Sequence, residues 1–217
     1  MKKIIIAAIV FAGISVSASA AGMMDGKFEV GGGAGYSILF SGGLSSNYKG
    51  SVNFSAYGAY KINDMLSSGL EIGYDLGHDS KEFTWGAFVS SSGDTVVKNL
   101  QITPFVKAAK DFNLGSVKAN GYGIFGLGIY YYQATYNSET SASLLSALSA
   151  NTAKLGFNLG GGISVDLVPS LPNLDFMLDV RWHHVFDGYQ VLDFATGVIT
   201  TRAINIITPS LRVGYRF

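Results

Sequence analysis

The chain closes on Ser210-Leu-Arg-Val-Gly-Tyr-Arg-Phe217. Leu211, Val213, Tyr215 and Phe217 recur at every second position, and Ser210, Arg212, Gly214 and Arg216 fill the places between. Successive side chains of a strand point to opposite faces, so a period of two describes a strand with one apolar and one less apolar face. An amphipathic helix does not fit, because every second position scatters around a helix.

Carried back along the chain, the same period finds seven more strands. The first, about 27–39, sets Phe28, Val30, Ala34, Tyr36 and Ile38 against Lys27, Glu29, Gly31, Gly33, Gly35 and Ser37. The second, about 51–61, sets Val52, Phe54, Ala56, Gly58 and Tyr60 against Ser51, Asn53, Ser55, Tyr57 and Lys61. The third, about 66–76, opposes Leu66, Leu70, Ile72, Tyr74 and Leu76 to Ser67, Gly69, Glu71, Gly73 and Asp75. The fourth, about 97–109, opposes Leu100, Ile102, Pro104, Val106 and Ala108 to Asn99, Gln101, Thr103 and Lys107. The fifth, about 117–132, is ambiguous: Val117, Ala119, Phe125, Leu127 and Ile129 share one face, but Tyr122, Ile124 and Tyr130 fall on the other. The sixth, about 154–167, is the cleanest, with Leu155, Phe157, Leu159, Ile163, Val165 and Leu167 against Lys154, Gly156, Asn158, Ser164 and Asp166. The seventh, about 174–183, opposes Leu174, Phe176, Leu178, Val180 and Trp182 to Asp175, Met177, Asp179, Arg181 and His183, and the eighth covers about 203–217. Connections alternate between short (62–65, 110–115, 168–173) and long (40–50, 77–96, 133–153, 187–202).

The amino terminus bounds the compartment. Lys2-Lys3, an apolar run from Ile4 to Val16 and Ser17-Ala-Ser-Ala20 form the basic, apolar and small-residue regions of a signal peptide over 1–20, with cleavage expected before Ala21. The apolar run is shorter than the ~20 residues of a membrane-spanning helix, and Gly, Ser, Asn or a charge breaks every later apolar stretch. One exported domain over 21–217 is expected. It loses Lys2 and Lys3 on processing, leaving 13 basic against 15 acidic residues, so no electrostatic case arises for a nucleic-acid partner. Cysteine is absent, which removes disulfides and thiolate metal sites. Only His183 and His184 of the three histidines are close in sequence, so neither a metal site nor a cofactor is expected.

Alternation alone does not tell inside from outside. A soluble sandwich or lipocalin-like barrel would alternate too, with its apolar face inward. Three features favour an apolar face turned outward, to lipid. The chain ends on the aromatic Phe217. Glycine is frequent on the less apolar face (Gly31, Gly33, Gly69, Gly73, Gly156, Gly160, Gly162), where it suits a crowded lumen. Aromatics such as Phe28, Tyr36, Tyr60, Tyr74, Tyr131, Trp182 and Tyr215 sit near strand ends, as in interfacial girdles.

The Gly-rich first strand Val30-Gly-Gly-Gly-Ala-Gly-Tyr36, the segment Gly121-Tyr-Gly-Ile-Phe-Gly-Leu-Gly-Ile-Tyr130, the segment Leu178-Asp-Val-Arg-Trp-His183 and the closing Val213-Gly-Tyr-Arg-Phe217 carry a resemblance. Over about 26–217 the chain resembles the small outer-membrane β-barrel family that includes the OmpA transmembrane domain, OmpX and opacity-like surface proteins. The resemblance implies an all-β fold, an eight-stranded antiparallel up-and-down transmembrane barrel in the outer membrane of a Gram-negative bacterium. It further implies short periplasmic turns, outer-membrane lipid and lipopolysaccharide as surroundings, and barrel assembly machinery and periplasmic chaperones as partners in biogenesis. In that family Leu211, Val213, Tyr215 and Phe217 would form the carboxy-terminal signal read by the assembly machinery. No peptidoglycan-binding domain is expected after Phe217.

With the less apolar face inward, Glu71, Asp75, Lys107, Lys154, Asp166, Asp179, Arg181, Arg212 and Arg216 enter or approach the lumen. An eight-stranded lumen is just wide enough for side chains to fill it, and charges held there must pair. Glu71, Lys107, Lys154, Asp179, Arg181 and Arg212 are therefore expected to form a structural ion-pair network, with a gated ion path or a ligand site at the mouth as alternatives.

A lipid-modifying enzyme would need a Ser, a His and an acidic residue together on the lipid-facing wall. By register His184 faces lipid, but the outward positions of the flanking strands, Leu155 to Leu167 and Pro209, Leu211 and Val213, supply neither Ser nor Glu. His78-Asp79-Ser80 reads as a solvated loop tip. Leu144, Leu145 and Leu148 within 138–152 have helix-like spacing, and Phe83, Trp85 and Phe88 form an exposed aromatic group in the second outer loop. The expected protein is a monomeric, non-catalytic barrel with a structural or surface-contact role. A narrow, porin-like low-conductance channel and a lipid A-modifying enzyme are the alternatives.

Overall fold

A computed structural model describes residues 27–40, 48–81, 83–85, 88–90, 95–115, 117–136, 151–166, 171, 173–193 and 198–217. The signal peptide and the helix-like spacing around Leu144 lie outside these residues. Ten strands form: β1 (Phe28–Leu39), β2 (Ser51–Lys61), β3 (Leu66–Asp79), β4 (Phe83–Trp85), β5 (Phe88–Ser90), β6 (Thr95–Leu114), β7 (Val117–Tyr136), β8 (Asn151–Val165), β9 (Leu174–Asp193) and β10 (Val198–Arg216). Eight of them close a barrel in the order β1-β10-β9-β8-β7-β6-β3-β2, and β4 and β5 pair separately as a small hairpin. Every barrel pairing is antiparallel.

Closure removes the sheet edge, so each of the eight barrel strands has two partners and its backbone is paired without water. The seam joins the first strand to the last, with Val30 opposite Tyr215 and Ala34 opposite Leu211. Beyond the last paired residue, the Phe217 N–H donates to the Phe28 carbonyl at 2.8 Å, and its ring lies 6.5 Å from that of Phe28 and 5.0 Å from that of Tyr215.

The faces are inverted relative to a soluble barrel. Leu211 is 69% exposed and Leu155 68%, while Arg212 is 4% exposed and Asn158 1%. A wall of exposed Leu, Ile, Val and Phe around a polar interior is stable only where lipid solvates the outside, and the sandwich alternative falls. The ambiguous fifth strand, β7, turns Phe125, Leu127 and Ile129 outward and buries Ile124, Tyr130 and Tyr132 inside, so its second apolar set belongs to the lumen filling.

Several boundaries differ from expectation. The segment 110–115 is not a six-residue connection: β6 runs on to Leu114, opposite Val117, and the turn is made at Gly115, whose φ of 63° suits glycine. At the other end of the barrel β3, β6, β7, β9 and β10 all continue past the apolar alternation. Ladder bonds there need no lipid, so pairing outlasts the pattern that reveals it. In the short turn between β2 and β3, Asn63 Oδ1 accepts from the backbone N–H groups of Met65 and Leu66, each at 2.9 Å.

Candidate functional site: the filled lumen

Three strands supply the central charges. Arg212 on β10 reaches Glu71 on β3 through a two-pronged contact, Nη1 to Oε2 at 2.5 Å and Nη2 to Oε1 at 3.1 Å. Arg181 on β9 places Nη2 3.3 Å from the same Oε2. It also turns Nε onto Asp179, two residues away on its own strand, at 2.9 and 3.0 Å. Arg212 Nε lies 3.8 Å from Asp179 Oδ1 and donates to Ser210 Oγ at 3.1 Å. Ser210 and Tyr122 donate to Asp179 at 3.4 and 2.9 Å. Two guanidinium groups thus face two carboxylates in a buried interior, Ser210 and Tyr122 hydroxyls join them, and Arg181 Nη1 is a buried donor with no partner among the described residues. In the ring β9 stands four strands from β3 in either direction, so the Arg181–Glu71 contact joins opposite walls.

Glycine opposite each arginine makes room for it. Register pairs Gly33 with Arg212 and Gly160 with Arg181. A Cβ on Gly33 would fall 2.6 Å from Arg212 Cγ, and one on Gly160 2.5 Å from Arg181 Cδ. Tyr57 likewise overlies Gly31 and Gly214.

Apolar clusters flank the charged layer. Towards the short turns lie Tyr57, Ala59, Phe105, Ile124 and Met177; towards the long connections lie Leu39, Tyr130, Tyr132, Val185, Ile204 and Ile206. Between the charges and the upper cluster Asp75 is fully buried. Ser37 Oγ (2.6 Å), Asn53 Nδ2 (2.9 Å), Asn99 Nδ2 (3.2 Å) and Gln101 Nε2 (3.5 Å) donate to it. Two cavities among the described residues are small: about 10 Å³ beside Arg181 and Arg212, and about 30 Å³ near Lys27 and Arg216 at the lower mouth. Each has room for about one or two waters.

Of the six expected network residues, the structure gathers four: Glu71, Asp179, Arg181 and Arg212. Lys107 pairs instead with Glu29, Nζ to Oε2 at 2.9 Å, in a separate cluster that includes the Tyr57 hydroxyl at 2.5 Å. Lys154 makes no ion pair among the described residues. Glu29 stood on the inner face of the first predicted strand, but no feature of its neighbours marked it as a partner of a residue 78 positions away. Arg216 reaches Asp175 at 2.9 Å at the mouth.

His78-Asp79-Ser80 is not a solvated loop tip. A register shift between Asp75 and His78 at Gly77 (φ 146°) turns His78 inward. Its Nδ1 lies 3.0 Å from the Lys49 carbonyl and its Nε2 3.7 Å from Asp75, and Ser80 is buried in a bridge to Tyr48. A bulge breaks the period of two, so alternation extended past Asp75 misplaces these residues. Of Phe83, Trp85 and Phe88 the structure gives the backbone pairing of a hairpin. On the outer wall, register sets the polar Asn205 opposite His184. Among the described residues no cluster of three or more metal-ligating side chains forms.

A family model described as the outer membrane protein beta-barrel domain matches residues 6–217. Among solved structures, the Neisserial surface protein A is similar at 15% identity, covering 88% of this chain and 97% of that one, with a TM-score of 0.51. The outer membrane protein OprG of Pseudomonas aeruginosa is similar at 13% identity, covering 88% and 96%, with a TM-score of 0.52. No match to the chain is found among curated proteins.

Proposed function

Because the chain belongs to the outer-membrane β-barrel family and resides in the outer membrane, we propose that it serves as a non-conducting, non-catalytic barrel. Its lumen braces the wall, and its outer loops make the contacts: envelope integrity, adhesion or host contact. Residues 1–20 direct export and are removed, and Leu211, Val213, Tyr215 and Phe217 are offered to the assembly machinery. One observation carries this reading. Among the described residues a paired charge layer lies in the lumen between two apolar clusters, with cavities of about 10 Å³ beside Arg181 and Arg212 and about 30 Å³ at the lower mouth. A permeating ion would have to separate Arg212 from Glu71 and then cross an apolar layer, and a buried charge without its partner is strongly disfavoured. The narrow-channel alternative would need those residues to move.

Planar-bilayer recording tests the proposal. The purified mature protein is expected to give no conductance steps, while Arg181→Ala and Glu71→Ala loosen the layer. Well-defined unitary steps from the wild-type barrel would overturn the bracing role and restore the channel.

A further inference from the structure

Among the described residues, the outer wall carries a polar cluster of Trp182, His184 and Asn205 outside both lumen and loops. Outward positions of β9 read Leu174, Phe176, Leu178 and Val180 before Trp182, His184 and Phe186; those of β10, followed from its end, read Tyr215, Val213, Leu211, Pro209 and Ile207 before Asn205. On both strands the run of purely apolar side chains ends at the paired His184 and Asn205. Asn205 Oδ1 lies 3.2 Å from the Trp182 indole nitrogen and 2.8 Å from His184 Nδ1. An indole N–H only donates, so the atom it meets is the amide oxygen, and His184 Nδ1 must then carry its hydrogen as well. In the neutral ring this leaves Nε2 as an acceptor. Three rings enclose the imidazole: Phe157 at 5.1 Å, Phe186 at 5.2 Å and Trp182 at 5.9 Å between centroids.

Height identifies the surroundings. Ten residues separate Leu174, beside a short turn, from His184. At about 3.3 Å per residue and a tilt of about 40° they climb roughly 25 Å, the height of the apolar band of such barrels. With the short turns on the periplasmic side, the cluster stands where outer-leaflet acyl chains meet their headgroups. Below it Leu159 (50% exposed), Leu178 (59%) and Val180 (49%) continue the wall without a break.

We propose that Phe157, Trp182, His184, Phe186 and Asn205 form a binding site for the sugar headgroup of an outer-leaflet glycolipid, whose acyl chains lie along the wall below. The apolar C–H face of a pyranose packs on aromatic rings, and a ring hydroxyl donates to His184 Nε2. The five residues include no Lys or Arg, so the site selects a hydroxylated ring over a bare phosphate. Polar side chains on a lipid-facing wall cost most at the midplane and little at the interface, and these lie at headgroup height, where a hydroxylated ligand is abundant. The proposal rests on the outer-membrane location and not on the filled lumen.

The test uses Trp182 as reporter in a Trp85→Phe background, in a phosphocholine surfactant that carries no sugar. Lipid A, a neutral glucosyl diacylglycerol and phosphatidylglycerol are titrated separately, following Trp182 emission. Both sugar lipids are expected to act at concentrations at least tenfold below phosphatidylglycerol, and His184→Phe and Asn205→Leu to lose that preference while keeping the heat-modifiable gel shift of a folded barrel. Equal response to all three lipids, a preference that follows phosphate, or a preference kept by the folded variants would overturn the site. If neither variant folds, competition decides: failure of the glucosyl lipid to displace lipid A from the wild-type wall refutes it.

Discussion

Replacing Glu71 with methionine tests the charge layer most sharply. The Glu71 carboxylate takes both prongs of Arg212, at 2.5 and 3.1 Å, and stands 3.3 Å from Arg181. Without it two buried guanidinium groups share one carboxylate, Asp179, which Arg212 approaches only to 3.8 Å. Removing one partner of a buried ion pair costs about 3–5 kcal/mol, because the other charge stays desolvated. Removing Arg212 as well, in Glu71→Met/Arg212→Met, leaves the Arg181–Asp179 pair intact and the layer neutral. Apolar replacement of a whole buried pair is often near neutral, so the double variant is expected within about 1 kcal/mol of wild type. Urea unfolding in phospholipid vesicles, followed by tryptophan emission and by gel mobility, gives both values. A single variant as stable as wild type, or a double variant that loses the sum of the two single effects, would refute the reasoning.

Gly160→Ala should be destabilising by roughly 1–3 kcal/mol through overpacking against Arg181, while Gly123→Ala, whose Cβ would meet nothing closer than 4.0 Å, should stay within about 0.5 kcal/mol in the same assay. Leu159→Arg should lose about 2–4 kcal/mol in a bilayer, as lipid-facing arginine does at the midplane. Folding of that variant with no loss in vesicles would contradict the outward placement of Leu159. Mass spectrometry of protein from outer-membrane fractions should find a chain beginning at Ala21; retention of Met1 would exclude the signal peptide.

The barrel was legible because one force, the transfer of alternate apolar side chains from water to lipid, acts along the strands. Leu155, Leu159 and Ile163 announce their face without help from neighbours. Partners inside the lumen were less legible: Arg212 and Glu71 are 141 residues apart, and the choice of Glu29 over Glu71 by Lys107 depends on strand stagger that no local pattern encodes. His78 was misread because the bulge at Gly77 breaks the alternation, so the expected strand stopped at Leu76 and left His78 in a connection. The glycines were better evidence than the charges. Their position marked a crowded interior, although each one's arginine or tyrosine emerged only from the register.

The contact between opposite walls has a consequence for the order of events in biogenesis. Glu71 lies in the first half of the chain, and Arg181 and Arg212 in the last quarter. Neighbouring strands can zip together as hairpins with no knowledge of the whole, but these three side chains meet only when the ring has shut. An open sheet entering lipid would carry Arg212 and Glu71 apart from each other, Arg181 keeping only Asp179 of its own strand, and would resist leaving the aqueous side. The layer therefore works as a completion check. A half-closed barrel would lack the Glu71–Arg212 contact and would enter lipid at a cost that the finished ring does not carry.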